Sequence, residues 1–152
     1  MRRTAATATA VLASLLLAAG CSSGDGDEKT DTKPSPTRLS TKWGPKLEAV
    51  TDADKAVCNA VGDQACAEHL TDIALAVGDL ERAVNAAGGS ARYPRTMTEI
   101  GKVNAAVEAY TDHECLGDEN AGITGSPCPD DAQTILTGGK TLTLALQADE
   151  AA

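Results

Sequence analysis

The sequence predicts an all-α protein: an up-down bundle of about four helices, stapled by two disulfides and preceded by a disordered N-terminal tether. Three observations lead there. Apolar residues recur at alternating spacings of four and three, the repeat that lines them up on one face of a helix. The stretches that carry this repeat are joined by short connections, for which antiparallel neighbours are the default arrangement. Four cysteines flank two of those connections.

Taken in order, Trp43, Leu47, Val50, Val57 and Val61 follow the four-three pattern, interrupted only by Asp54. Pro45 suits a first helical turn, while Thr51 or Asp54 would cap a second, shorter helix. The clearest stripe is Cys66, Leu70, Ile73, Val77, Leu80, Val84 and Ala87, with Asp63 as N-cap and Gly88-Gly89 as the stop. A third run holds Met97, Ile100, Val103, Val107 and Tyr110, opened by Pro94 or by the pair Thr96 and Glu99. The fourth begins near Pro129-Asp130-Asp131 and keeps the spacing through Ile135, Gly139, Leu142 and Leu146. Residues 141–146 also alternate as a strand would, and Gly138-Gly139 weakens a helix by roughly 1 kcal/mol per glycine. A lone strand would have no partner, so helix is preferred.

The apolar core is thin for this length, and a covalent supplement is expected. In an up-down bundle Cys58 and Cys66 flank one turn, and Cys115 and Cys128 flank another. Those are the expected pairs. Spacings of 8 and 13 do not supply the close cysteine pairs of a zinc site.

The N-terminus reads differently. Arg2 and Arg3 precede an apolar stretch from Ala5 to Ala19, interrupted only by Thr7, Thr9 and Ser14. As a helix it would span about 22 Å against the roughly 30 Å of a bilayer core, which suits an export signal better than a membrane anchor. It ends Leu17-Ala18-Ala19-Gly20-Cys21. These residues resemble the lipobox of bacterial lipoproteins, with Ala18 where a branched apolar residue is usual. The resemblance implies diacylglycerol on the Cys21 sulfur and cleavage before that residue. Residues 22–41 are rich in Ser, Thr, Asp, Gly and Pro, with Leu39 the only large apolar side chain, and cannot bury enough surface to offset ordering. The expected layout is a signal peptide over 1–20, a lipidated cysteine and tether over 21–41, and the bundle over 42–152. This layout is similar to that of small actinobacterial lipoproteins. It implies a location at the outer face of the cell membrane and says nothing of activity.

Charge and composition narrow the function. The 13 Lys and Arg stand against 22 Asp and Glu, which argues against nucleic acid as a partner. With Trp43, Tyr93 and Tyr110 the only aromatics, a stacking platform or an aromatic cage has no material. No Lys or Arg occurs over residues 56–81 or 103–139, so the cystine end of the bundle is acidic. Asp63, Asp130 and Asp131 suit helix N-termini, but Asp112 and Glu114 fall near a C-terminus, where the dipole disfavours acids. Asp112, Glu114, Asp118 and Glu119 therefore make a candidate docking surface for a basic or cationic partner. His69 and His113 read as ordinary surface or half-buried histidines.

Catalytic motifs fail on inspection. His113-Glu114-Cys115 lacks the second histidine of a zinc peptidase. Residues 112–123 place Leu116 and Ile123 where a calcium loop requires oxygen ligands. Thr134 stands where a phosphate loop ending at Lys140-Thr141 needs its first glycine. No cofactor or metal is called for. The sequence is thus expected to encode a membrane-anchored binding module, engaging an envelope protein or cationic partner through its cystine end or a groove between helices. The alternative is a carrier of a small ligand or cation.

Overall fold

The computed structural model describes residues 38–52 and 58–152. They form four helices, α1 (Leu39–Thr51), α2 (Gln64–Ala86), α3 (Pro94–Asp112) and α4 (Cys128–Glu150), with a 3-10 turn at Gly89–Ala91 and no strand among the described residues. Both expected disulfides are present, Cys58–Cys66 and Cys115–Cys128. The lipobox and most of the tether lie outside the described residues, as does Val57. Among the described helices none is long and apolar enough to cross a membrane.

The stripes form the core. Leu47 of α1, Ile73, Val77 and Leu80 of α2, Ile100 and Val103 of α3, and Ile135, Leu142 and Leu146 of α4 are all buried. Helix α4 packs along both α3 and α1, while α2 meets α1, α3 and α4 less extensively. The strand-like alternation at residues 141–146 is therefore helix: Leu142 and Leu146 face inward and Leu144 faces solvent.

Three local expectations give way to packing. Helix α1 begins at Leu39, three residues before the expected domain start, because Leu39 packs against the core and Ser40 is capped from α4. It ends at Thr51, and Val61 falls in the non-helical stretch before α2. Helix α3 opens at Pro94, the first of the two expected starts, and Thr96 and Glu99 do not cap it. Instead Asp149 reaches across from the end of α4: its Oδ2 accepts from the Thr96 amide at 2.9 Å and the Thr96 hydroxyl at 2.8 Å, and its Oδ1 from the Arg95 amide at 3.3 Å.

The next residue does the same for α1. Glu150 Oε1 accepts from the Ser40 amide at 3.1 Å, and its second oxygen meets the Ser40 hydroxyl. A carboxylate at a helix N-terminus satisfies otherwise orphaned amides and complements the dipole. Two consecutive acids thus terminate one helix and start its two antiparallel neighbours.

The glycine pair is likewise set by contact. A Cβ at Gly138 would lie 2.2 Å from Val103 Cγ2 of α3, and one at Gly139 would lie 2.4 Å from Thr51 Cγ2 of α1. Neither neighbour has room to yield: Val103 is fully buried, and the Thr51 hydroxyl donates to the Leu47 carbonyl at 2.9 Å. Helix propensity alone would make Gly138→Ala or Gly139→Ala stabilising by about 1 kcal/mol. Overpacking of roughly 1–3 kcal/mol opposes it. Each variant is expected to melt several degrees lower than the native protein by calorimetry; a higher melting temperature would show that the helices do not meet at these glycines.

At the other end of the bundle, Tyr110 is buried and donates its hydroxyl to the Val61 carbonyl at 2.6 Å. Burial raises its pKa above 10.0. The folded protein therefore holds the phenolic proton more tightly than the unfolded chain. That stabilisation is full below about pH 10 and is lost as pH rises through the folded value. Tyr110→Phe is expected to cost about 1 kcal/mol near neutrality and to reduce the alkaline loss of stability, read from urea midpoints across pH.

Candidate functional site

A groove runs between α2 and α3 toward the cystine end. Small side chains make it: Ala67, Thr71 and Ala74 on α2 face Asn104 and Thr111 on α3, where larger residues would have closed the gap. The buried Leu70, Tyr110 and Ile135 back the groove, Val107 is half-buried beside them, and Cys115 also lines it. The space measures about 590 Å³. Its lips are Leu75 and Leu116, exposed to 65% and 51%. Isolated exposed leucines are ordinary; here two stand beside one apolar trough.

A second hollow lies between α1 and α4, but Leu144 is its one large aliphatic residue, set among Glu48, Lys140, Gln147 and several threonines. Five large aliphatics line the α2/α3 groove. The hollow between α1 and α4 is the larger, at about 1040 Å³, but the α2/α3 groove has more large aliphatic side chains in its lining.

The cystine end is fixed by several bonds. Cys115–Cys128 ties the loop after α3 to the first turn of α4, and Cys58–Cys66 ties the preceding loop to α2. These loops also hold each other, since the Gly117 amide donates to the Gly62 carbonyl at 2.9 Å. Gly62 is needed there, because a Cβ would stand 2.5 Å from the Asp118 carbonyl oxygen.

The acidic residues singled out from the sequence are all at this end but do not share one surface. Glu114 lines the groove, and with Asp118, His113, Leu116 and Gly117 it also borders a shallow concavity. Asp118 and Glu119 border another hollow, against residues 59–63. Asp118 is also occupied locally, its Oδ1 accepting from the Asn120 amide at 2.9 Å. Asp112 is exposed at the end of α3.

His113 is exposed and its Nδ1 lies 2.8 Å from Asp131 Oδ2. With Cys115 these two residues place three potential ligand atoms within 4.8 Å of one another. The grouping does not make a metal site, because the Cys115 sulfur is bonded to Cys128 and offers no thiolate. His69 is buried in α2, with Nε2 lacking a hydrogen-bond partner among the described residues, and does not line the groove.

The groove lips escaped the sequence reading. Leu75 lies off the apolar stripe of α2 and Leu116 lies outside any helix, so neither fits the periodic pattern. An unmatched leucine beside alanines at helical spacing was the available signal. Comparison with protein-family models, with curated proteins and with solved structures gave no match.

Because Cys115 and Leu116 are adjacent, the Cys115–Cys128 bond anchors one lip of the groove. Cys115→Ser/Cys128→Ser, which opens a loop of separation 13, is expected to cost about 3 kcal/mol. Amide exchange should also quicken at Leu116 and Gly117; unchanged exchange there would mean that the cystine does not hold the lip.

Proposed function

We propose that this protein is an extracytoplasmic lipoprotein, held at the cell membrane by acyl chains on Cys21, that acts as a binding module for another envelope molecule. The open apolar groove between α2 and α3 is the observation that carries the binding role. A folded bundle loses solvation free energy by leaving Leu75 and Leu116 in water, and covering them with a partner recovers roughly 1–2 kcal/mol for each. The two cystines staple the loops at one end of the groove, one of which carries the Leu116 lip, so less ordering opposes association.

The lipobox-like run ending at Cys21 supports the anchor, and the cystines fit an oxidising compartment. Residues 22–37 would then join the membrane to α1. A small apolar ligand is a second reading, favoured by a groove volume within the usual range of ligand pockets.

Anchor and binding role are tested separately. Intact-mass spectrometry of protein from its native host should show a chain beginning at Cys21 with acyl mass on that residue, and Cys21→Ser should release the protein from the membrane; an uncut N-terminus or an unmodified sulfur contradicts the anchor. For binding, Leu75→Ser/Leu116→Ser should abolish chemical crosslinks to an envelope partner without lowering the melting temperature. Neutralising Asp112, Glu114, Asp118 and Glu119 together should weaken those crosslinks less completely. Crosslinks unaffected by the leucine pair contradict the groove.

A further inference from the structure

We infer that the groove takes a cationic amphipathic helix: a partner segment of two to three turns whose apolar stripe is flanked by Lys or Arg. This rests on the groove being the binding site and adds what occupies it.

The charge around the groove is one-sided. On α2, Glu68 and Asp72 stand seven and three residues before Leu75, on the same side of the helix as that lip, and both are exposed. On α3, Glu108 lines the groove and Asp112 follows it by four residues, with Glu114 beyond. Neither bank carries a basic residue, since none occurs over residues 56–81 or 103–139. The cations that bound those stretches on the two helices, Arg82 and Lys102, are paired with Asp79 and Glu99. Two acids, Glu108 and Glu114, therefore line the apolar trough, and three more, Glu68, Asp72 and Asp112, are exposed on the helices beside it, with no Lys or Arg among them.

The shape favours a helix. Residues 67–75 of α2 run for about 12 Å, the length of two helical turns, and leucines stand on opposite lips. An amphipathic helix presents apolar anchors at i, i+3 or i+4, and i+7 over that distance. A second copy of this chain is disfavoured, because it would bring identical acids face to face. An anionic membrane surface is disfavoured by the same repulsion.

The test uses the exported chain from residue 21, with Cys21→Ser so that it carries no acyl group and with both cystines oxidised. Two fluorescent helical peptides of about 15 residues share one leucine stripe, flanked in one by lysines and in the other by glutamates. By anisotropy the lysine peptide should bind saturably, at least about tenfold tighter than the glutamate peptide, and weaken severalfold between roughly 50 and 500 mM salt. Leu75→Ser/Leu116→Ser should weaken it more than about tenfold, and Glu108→Gln/Glu114→Gln about fivefold. Asp118→Asn/Glu119→Gln, outside the groove, should change it less than about twofold. Equal binding of the two peptides, lost on substituting the leucines, would overturn the cationic assignment and leave the groove standing. Absence of binding by both, or binding indifferent to the leucine pair, would overturn both.

Discussion

Two neighbouring carboxylates at the end of α4 set the frame of this bundle. Asp149 caps α3 and Glu150 caps α1, so the polar groups that both helices leave open at their starts are satisfied by a third helix running the other way. Those acids oppose the dipole of α4 itself, yet serve two neighbouring N-termini. Farther along α4, Gly138 and Gly139 let the same two helices approach closely. Helices α1, α3 and α4 thereby form a close-packed unit, against which α2 is held by its apolar stripe and by the hydrogen bonds from Asn104 of α3 to Glu81 of α2 and from Tyr110 of α3 to the Val61 carbonyl in the loop before α2. The groove opens where α2 meets α3 across alanines and threonines.

Much of this was legible in the sequence because it follows from local periodicity. The four-three spacing of Cys66 through Val84 defines α2, and the positions of Cys58, Cys66, Cys115 and Cys128 around two turns suffice for their pairing. What escaped depends on partners distant in the chain. Thr96 reads as part of a local cap, but its partner Asp149 is 53 residues away, and Ser40 finds Glu150 at a separation of 110. Gly138-Gly139 reads as a weakness in a helix until Val103 and Thr51 are seen against it. The groove is harder still, since it is a deficit of side-chain volume between two helices whose relative register no single stretch encodes.

The site also changes how the acidic end is understood. As a sequence feature, the four acids from Asp112 to Glu119 suggested one docking surface. In the fold Asp118 bonds its own loop, and Glu119 turns to a different hollow from the one Glu114 lines. Glu114 instead joins Glu108 beside the groove. The unbalanced charge is then a flank to an apolar trough, a combination that under the proposed binding role would confer selectivity on a hydrophobic contact otherwise indiscriminate.

The central claim is that the α2/α3 groove, and no other apolar surface, meets the partner. Leu144, in the hollow between α1 and α4, is 66% exposed against 65% for Leu75, which makes the two positions a matched pair. A photo-crosslinking amino acid placed at 75 or at 144 in cells of the native host measures the claim directly. A discrete adduct from position 75 and none from 144 is the expected result; adducts from 144 alone, or from both positions equally, would contradict it.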